Sequence, residues 1–222
     1  MLRNWIKSNR GFLVLLLCFG LFRTAVADWN PIPSGSMRPT LLEGDVVFVN
    51  RLAYDVKLPL TDVVLLPLGD PQRGDVVTFT SPQDGTRLIK RIAAVPGDRV
   101  EMRNEVLYIN GQAAQYDAPE VVQEAVGVGA TVQATRWTER LGGHERRVQW
   151  LHGVPARSTF DAIEVPAGQY LMLGDNRDDS VDSRYIGLVP RHLLIGQARR
   201  VLVSADILAN WALRLGRFGH AL

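Results

Sequence analysis

The chain of 222 residues has a single cysteine, Cys18, which lies in an apolar stretch near the N-terminus. One thiol excludes an internal disulfide and any cysteine-rich metal centre. Histidine is scarce as well: His144, His152, His192 and His220 are scattered, without the spacing of an HExxH-type zinc site. Neither a bound metal nor a cofactor is expected, and no histidine stands ready as a local base. A strong charge of one sign is also missing, because the formal net charge is only +2 and the basic residues are dispersed. Nothing marks a nucleic-acid surface. Lysine is scarcer still, since all of the 25 basic residues except Lys7, Lys57 and Lys90 are arginine. Arginine cannot give up its proton in a protein, whereas a buried lysine can.

Long apolar runs are limited to one, GFLVLLLCFGLF at residues 11–22, which alone is shorter than the roughly 20 residues needed to cross a bilayer. Continued through Arg23 and Thr24 to Trp29, it becomes a candidate transmembrane anchor at 11–29, with Arg23 snorkelling and Trp29 at the interface. Arg3, Lys7 and Arg10 precede it, so the positive-inside tendency leaves residues 1–10 in the cytoplasm and sends residues 30–222 outside. A second reading stays open, in which the same segment is a secretory signal cut after Ala25-Val26-Ala27. Leu17 before Cys18 is too large for lipoprotein processing. Both surviving readings put residues 30–222 beyond the cytoplasm.

With 46% hydrophobic residues the chain can bury a sizeable core. Beyond Trp29 it reads as mainly β, in short valine- and isoleucine-rich stretches separated by Gly, Pro, Asn and Asp. Candidate strands are 45–52, 75–80, 87–95, 99–103, 105–109, 169–174 and 197–204. Asn110-Gly111 is a turn signal, and Gly142-Gly143 sits at the tip of a candidate long hairpin. Residues from about 112 to 160 are more polar and read as a β-rich insertion.

Three stretches carry candidate chemistry. In PSGSMRPT, residues 33–40, two serines flank one glycine. A serine nucleophile needs a base, and Lys7 precedes the apolar segment, which leaves Lys57 and Lys90. In RLIKRIAAV, strand alternation puts Lys90 on the face of Leu88 and Ile92, where desolvation would bring its pKa from about 10.4 toward about 8. A strand lysine snorkelling from an edge fits the same pattern. Lys57, in YDVKLP, reads as a solvated loop lysine. The third stretch is GDNRDDSVDSRYIGLVP, residues 174–190, in which Val181 is the only apolar residue from Asp175 to Arg184. Periodicity does not decide between a solvated loop and a buried polar network beside a site.

PSGSMRPTLLEGD, RGDVVTF, KRIAAVPGD and GDNRDDSVDSRYIGLVP, in that order behind an apolar N-terminal segment, closely resemble the sequence boxes of bacterial type I signal peptidases. The resemblance implies a membrane-anchored serine endopeptidase with Ser36 as nucleophile and Lys90 as general base. Ser34, with the Ser36 backbone N–H, would form the oxyanion hole. Ser180 would orient the lysine amine, and Arg91, Asp175, Arg177, Asp182 and Arg184 would form a supporting charged network. Met37 would help to form the substrate cleft, and Gly35 would allow a tight backbone path. The implied fold is antiparallel β-sheets with a β-rich insertion, behind one N-terminal transmembrane helix. The implied partners are preprotein signal peptides with small residues at −3 and −1, together with membrane lipid. The implied location is the cytoplasmic membrane, with the catalytic domain on its outer side. Ala94 and Asp179 depart from the residues many members carry, glycine and asparagine, and neither belongs to the implied dyad. A peptidase dedicated to one client, such as a pilin, and an exported binding domain without activity remain alternatives.

Overall fold

The computed structural model describes residues 5, 7–61, 63–126 and 129–222. Helix α1 (Arg10–Ala25) precedes the sheets, and no residue of it is buried. It has 16 residues, about 24 Å at the α-helical rise, and among the described residues no helix is long and apolar enough to cross a membrane. The expected anchor at 11–29 is therefore not one helix. Ala27–Pro31 is instead a strand, β1, antiparallel to β2 (Asp45–Asn50), with Ala27 opposite Asn50 and Asp28 opposite Val49. Ala27 and Asp28 are both buried there. The apolar tail AVADW suits either a membrane edge or a half-buried strand, and strand pairing has claimed it.

The remaining strands are β3 (Asp55–Lys57), β4 (Val64–Pro67), β5 (Val76–Thr80), β6 (Arg87–Ala94), β7 (Arg99–Arg103), β8 (Val106–Ile109), β9 (Gln112–Ala113) and β10 (Gln115–Ala125). They continue with β11 (Thr131–Leu141), β12 (His144–Leu151), β13 (Phe160–Glu164), β14 (Gln169–Leu173), β15 (Val189–Pro190) and β16 (Leu194–Ser204). A single helical turn, α2 (Ser183–Ile186), lies between β14 and β15. The main sheet has the order β1-β2-β16-β5-β6-β14-β15, and its paired neighbours run antiparallel. A four-stranded sheet runs β13-β7-β8-β9, β3 and β4 form a hairpin, and β10, β11 and β12 form a separate three-stranded sheet over 115–151. Each stretch expected as a strand contributes one, and the fold is mainly antiparallel β.

Two turns follow directly from their glycines. Asn110 and Gly111 both take positive φ between β8 and β9, as do Gly142 and Gly143 between β11 and β12. Positive φ at both central residues gives the primed turn whose twist matches that of the flanking strands.

Around β5 and β14 the main sheet is buried on both faces. Alternate residues of β14 point to opposite sides, so Leu171 and Leu173 join the cluster built on Val100, Met102 and Leu107. Tyr170 and Met172 join Tyr54, Phe79 and Ile92 on the other side. A third cluster gathers Ile32, Leu41, Val47, Val49 and Val201 around Met37, which is fully buried. The continuous apolar run QYLML is explained by this burial of both faces.

Gly44 is a sharp constraint in this core. Its φ is +86°, and a Cβ there would stand 2.1 Å from the backbone oxygen of Ala205. Gly97 has a similar φ, +87°, but open space around it. Gly97→Ala should cost about 1–2 kcal/mol, the left-handed penalty alone. Gly44→Ala should cost clearly more, because the clash with backbone adds to it. Chemical denaturation of the two variants checks the order, and equal losses would show that the β16 end yields freely.

Candidate active site

Ser36 sits in a tight turn, Gly35–Met37, closed by the Arg38 N–H on the Gly35 carbonyl at 3.0 Å. Met37 anchors that turn. It was expected in the substrate cleft, but its side chain faces the opposite way, into the core, where burial contributes about 1.5–3 kcal/mol. From the other side Asn176 holds the turn: its N–H donates to the Ser36 carbonyl at 3.2 Å and its Nδ2 to the Gly35 carbonyl at 3.1 Å. Gly174 lets this approach happen, because a Cβ there would lie 2.5 Å from the Ser36 carbonyl oxygen.

β6 brings Lys90 to the same point. The strand pairs without a register break with β5, Lys90 opposite Val77, so the side-chain alternation read from the sequence holds. Lys90 Nζ donates to Ser36 Oγ at 2.6 Å, and both residues are buried. Desolvation pulls the Lys90 pKa down to about 8, against the charges of Asp182, Asp179 and Asp175, which raise it. The amine is thus buried and not snorkelling. A cavity of about 360 Å³ opens over the pair and is lined by Ser34, Leu88, Asp179, Ser180 and Tyr185 as well. Ser34 is exposed, extended, and makes no capping bond with its hydroxyl.

Much of segment 174–184 forms a buried polar network, with Asp179 and Val181 left exposed. Arg91 forks onto Asp175 through Nε at 2.9 Å and Nη2 at 2.6 Å, and its Nη1 reaches the Gly74 carbonyl at 2.7 Å. Thr40 Oγ1 donates to Asp175 Oδ2 at 2.5 Å, which ties this pair back to the serine loop. Asp182, fully buried, accepts from Arg184 Nε at 2.8 Å, from the Gly174 N–H at 2.9 Å and from Ser180 Oγ at 2.8 Å. Ser180 therefore directs its hydroxyl to Asp182. It lines the cavity with Lys90, and the described hydrogen bonds include none between the two. Arg177 is buried on Glu139 at 2.7 Å.

Glu139 comes from β11 and escaped the sequence reading. It also receives Arg146 Nε at 2.6 Å and Tyr116 Oη at 2.9 Å. Burial alone would raise its pKa, but Arg177 and Arg146 overcome that and hold it at about 2. The available signal was the one used for Lys90, a charged residue on the strand face of two apolar ones, here Trp137 and Leu141. A second buried group was missed likewise: Arg38 pairs with Glu43 and with Glu124 of β10, and Arg136 joins Glu124 at 2.7 Å.

Lys57 is the plain correction. It is buried in β3, and its Nζ donates to the carbonyls of His192 at 2.6 Å and Leu194 at 2.5 Å. The carbonyls come from the approach to β16, which the sequence alone does not bring near residue 57.

The sequence profile of signal peptidase, peptidase S26, matches residues 2–203. Signal peptidase I of Pseudomonas aeruginosa is 36% identical over 211 residues, covering 90% of this chain and 72% of that protein. Signal peptidase I of Pseudomonas fluorescens is 34% identical with the same coverage of each. A crystal structure of a signal peptidase I from Enterococcus faecalis, 29% identical, covers 59% of this chain and 97% of its own, with a TM-score of 0.36, too loose a superposition to argue from.

Glu139 gives a pH test of the network. Its pKa when folded, about 2, lies below the ordinary glutamate value of 4.5, so its stabilising pairing is complete above about pH 4.5 and is lost as pH falls toward 2. Glu139→Gln leaves Arg177 and Arg146 without their anion and should destabilise the protein by about 3–5 kcal/mol at neutral pH. Denaturation from pH 7 to pH 2 should show the gap between wild type and variant narrowing below pH 4.5. A constant gap would show that Glu139 is not charged in the fold.

Proposed function

The chain belongs to the signal peptidase family, peptidase S26, and on that premise we propose that it is a serine endopeptidase in which Ser36 attacks and Lys90 serves as the base. The observation that carries this reading is the 2.6 Å contact of Lys90 Nζ with Ser36 Oγ in a buried setting that favours the neutral amine. No other lysine has such a position: Lys57 is engaged on two carbonyls, and Lys7 precedes α1.

Neutral Lys90 takes the proton of the Ser36 hydroxyl as Oγ bonds to the carbonyl carbon of the scissile peptide. The negative charge that develops on the carbonyl oxygen is met by the Ser36 N–H and the Ser34 hydroxyl. Ser34 is free for that task, since its side chain caps nothing and lines the same cavity. The C–N bond then breaks, and the Lys90 ammonium gives its proton to the departing amine. Water next gives a proton to Lys90 and attacks the ester, and the protonated amine returns a proton to Ser36 Oγ, releasing the acid. Arg91, Asp175, Arg177, Asp182 and Arg184 hold this wall in place, with Ser180 acting through Asp182. The substrates are preproteins with small residues at −3 and −1, cut at the outer face of the cytoplasmic membrane. α1 and the residues before it associate with lipid, and the basic N-terminus stays inside.

Ser36→Ala and Lys90→Ala should each abolish cleavage while leaving the fold intact by circular dichroism, and Lys90→Arg should be nearly as inactive because a guanidinium keeps its proton. In the wild type kcat/KM should rise about tenfold per pH unit below about pH 8 and level off above it, as Lys90 deprotonates. Substantial activity in Lys90→Ala, or a profile flat from pH 6 to 9, overturns the lysine base. Assaying several unrelated preproteins separates a general enzyme from one dedicated to a single client.

The same reading predicts the fate of Ala25-Val26-Ala27. A cut after Ala27 would need residues 27 and 28 to leave their pairing with β2, and both are buried. The mature protein should therefore keep residues 1–27. N-terminal sequencing of protein purified from membranes checks this, and a dominant species starting at Asp28 would overturn the anchor while sparing the catalytic assignment.

A further inference from the structure

A second hollow, of about 680 Å³, lies beside the catalytic cavity and is lined by Tyr116, Trp137, Trp150, His152, Glu105 and Asp178. Asp178 belongs to both spaces, and its carboxylate accepts the Leu151 N–H at 2.8 Å, which fixes the wall between them. Three aromatic rings and two carboxylates line the hollow, and no lysine or arginine does. Trp150 packs edge-on against both Tyr116 and Trp137, so the rings form a rigid set. Arg177 stacks near Trp150 at 5.7 Å, but its charge is matched by Glu139. His152 Nε2 is engaged with Thr135 Oγ1 at 2.8 Å. The carboxyls of Glu105 and Asp178 are both pushed up by burial, and the Asp178 charge pushes Glu105 further, a tension that an entering cation relieves.

The position of the hollow along the substrate path follows from β6. At the α1 end of that strand, Arg87 donates to Asp28 at 3.1 Å and shares a hollow with Thr24 of α1. From there Leu88 and Lys90 lead into the catalytic cavity, and Asp178 leads out of it into the aromatic hollow. A preprotein whose apolar segment stays in the membrane beside α1 crosses Ser36 and continues toward Asp178 with its mature part.

We propose that this aromatic, acidic hollow is a specificity subsite for the mature side of the preprotein, and that it accepts a lysine or arginine side chain a few residues past the scissile bond. Ring faces attract a cation, and Glu105 and Asp178 supply the opposite charge. The proposal rests on the peptidase reading above. Glu105 also occupies an unusual place: with Asn104 it forms the two-residue turn between β7 and β8, and both residues have positive φ, +72° at Glu105. Glycine is the favoured residue there, so Glu105→Gly removes the carboxylate without opposing the turn.

The test uses the full-length enzyme and preprotein substrates that share one signal peptide and differ at positions +2 to +6 by a single lysine, glutamine, glutamate or phenylalanine. Wild-type kcat/KM should be about three- to tenfold higher for the best-placed lysine than for glutamine, and lowest for glutamate. In Glu105→Gly and Glu105→Gln the lysine-to-glutamine ratio should fall toward one, and 0.5 M salt should lower the wild-type ratio. Cleavage of every substrate at equal rates, a preference for phenylalanine over lysine, or a ratio unchanged in both variants overturns the subsite and leaves the peptidase standing. No cleavage of any preprotein overturns both.

Discussion

Lys90 loses its hydration where it meets Ser36, and the demands on the surrounding residues follow from that desolvation. Burial pulls the amine toward neutrality, but three carboxylates, Asp182, Asp179 and Asp175, pull the other way. At short range and in a poorly solvated site, one uncompensated carboxylate is worth several kcal/mol to an ammonium, enough to keep it protonated. The two fully buried acids are accordingly neutralised, Asp175 by a forked Arg91 and Asp182 by Arg184. Arg184 lowers the Lys90 pKa, and Arg91 pairs with the Asp175 carboxylate that raises it. Asp179 lines the same cavity without an ion pair among the described residues, and its charge still raises the Lys90 pKa.

The insertion belongs to the same electrostatic unit. Its Glu139 neutralises Arg177, which lies in the segment that pins the serine loop, and its Glu124 neutralises Arg38, two residues after Ser36. Removing the three-stranded sheet would leave Arg177 without the carboxylate it is buried on, and Arg38 with Glu43 alone. Breaking such a pair from one side is far more damaging than never having had it, because the remaining charge stays desolvated. β10–β12 is therefore a structural part of the site as well as one wall of the aromatic hollow.

How far the site was legible in the sequence depended on the range of the interactions. Strands such as Asp45–Asn50 and Arg87–Ala94 declared themselves through alternation, and Gly142-Gly143 declared its turn. The same alternation put Lys90 on the face of Leu88 and Ile92 but left burial and snorkelling both open, until pairing of β6 with β5 and β14 decided for burial. What escaped were long-range facts. The family resemblance implied that Met37 is a cleft residue, yet the short turn sends it into the core. Lys57 looked solvated because its partners, the carbonyls of His192 and Leu194, lie some 135 residues away. Ala27, Asp28 and Trp29 were absorbed into the apolar segment because a five-residue, half-apolar strand carries too little periodicity to show before β2 is there to pair with it.

The junction of helix and sheet joins these observations. Asp28, buried at the start of β1, receives Arg23 of α1 at 3.0 Å, Arg87 of β6 at 3.1 Å and Arg51 at 3.8 Å. Arg23 also lies 4.5 Å over the ring of Trp29. The residues that a membrane segment would use as interfacial anchors are thus folded onto one another and onto the end of the strand that carries Lys90. Three cations on one buried carboxylate fix the exit of α1 relative to β6, three residues before the candidate base. On the peptidase reading, this sets the direction in which a membrane-tethered chain reaches Ser36: a substrate arriving beside α1 meets Leu88 before Lys90 and Asp178 after it. The charge at Asp28 therefore ties α1 to the strand that carries Lys90 without touching Ser36.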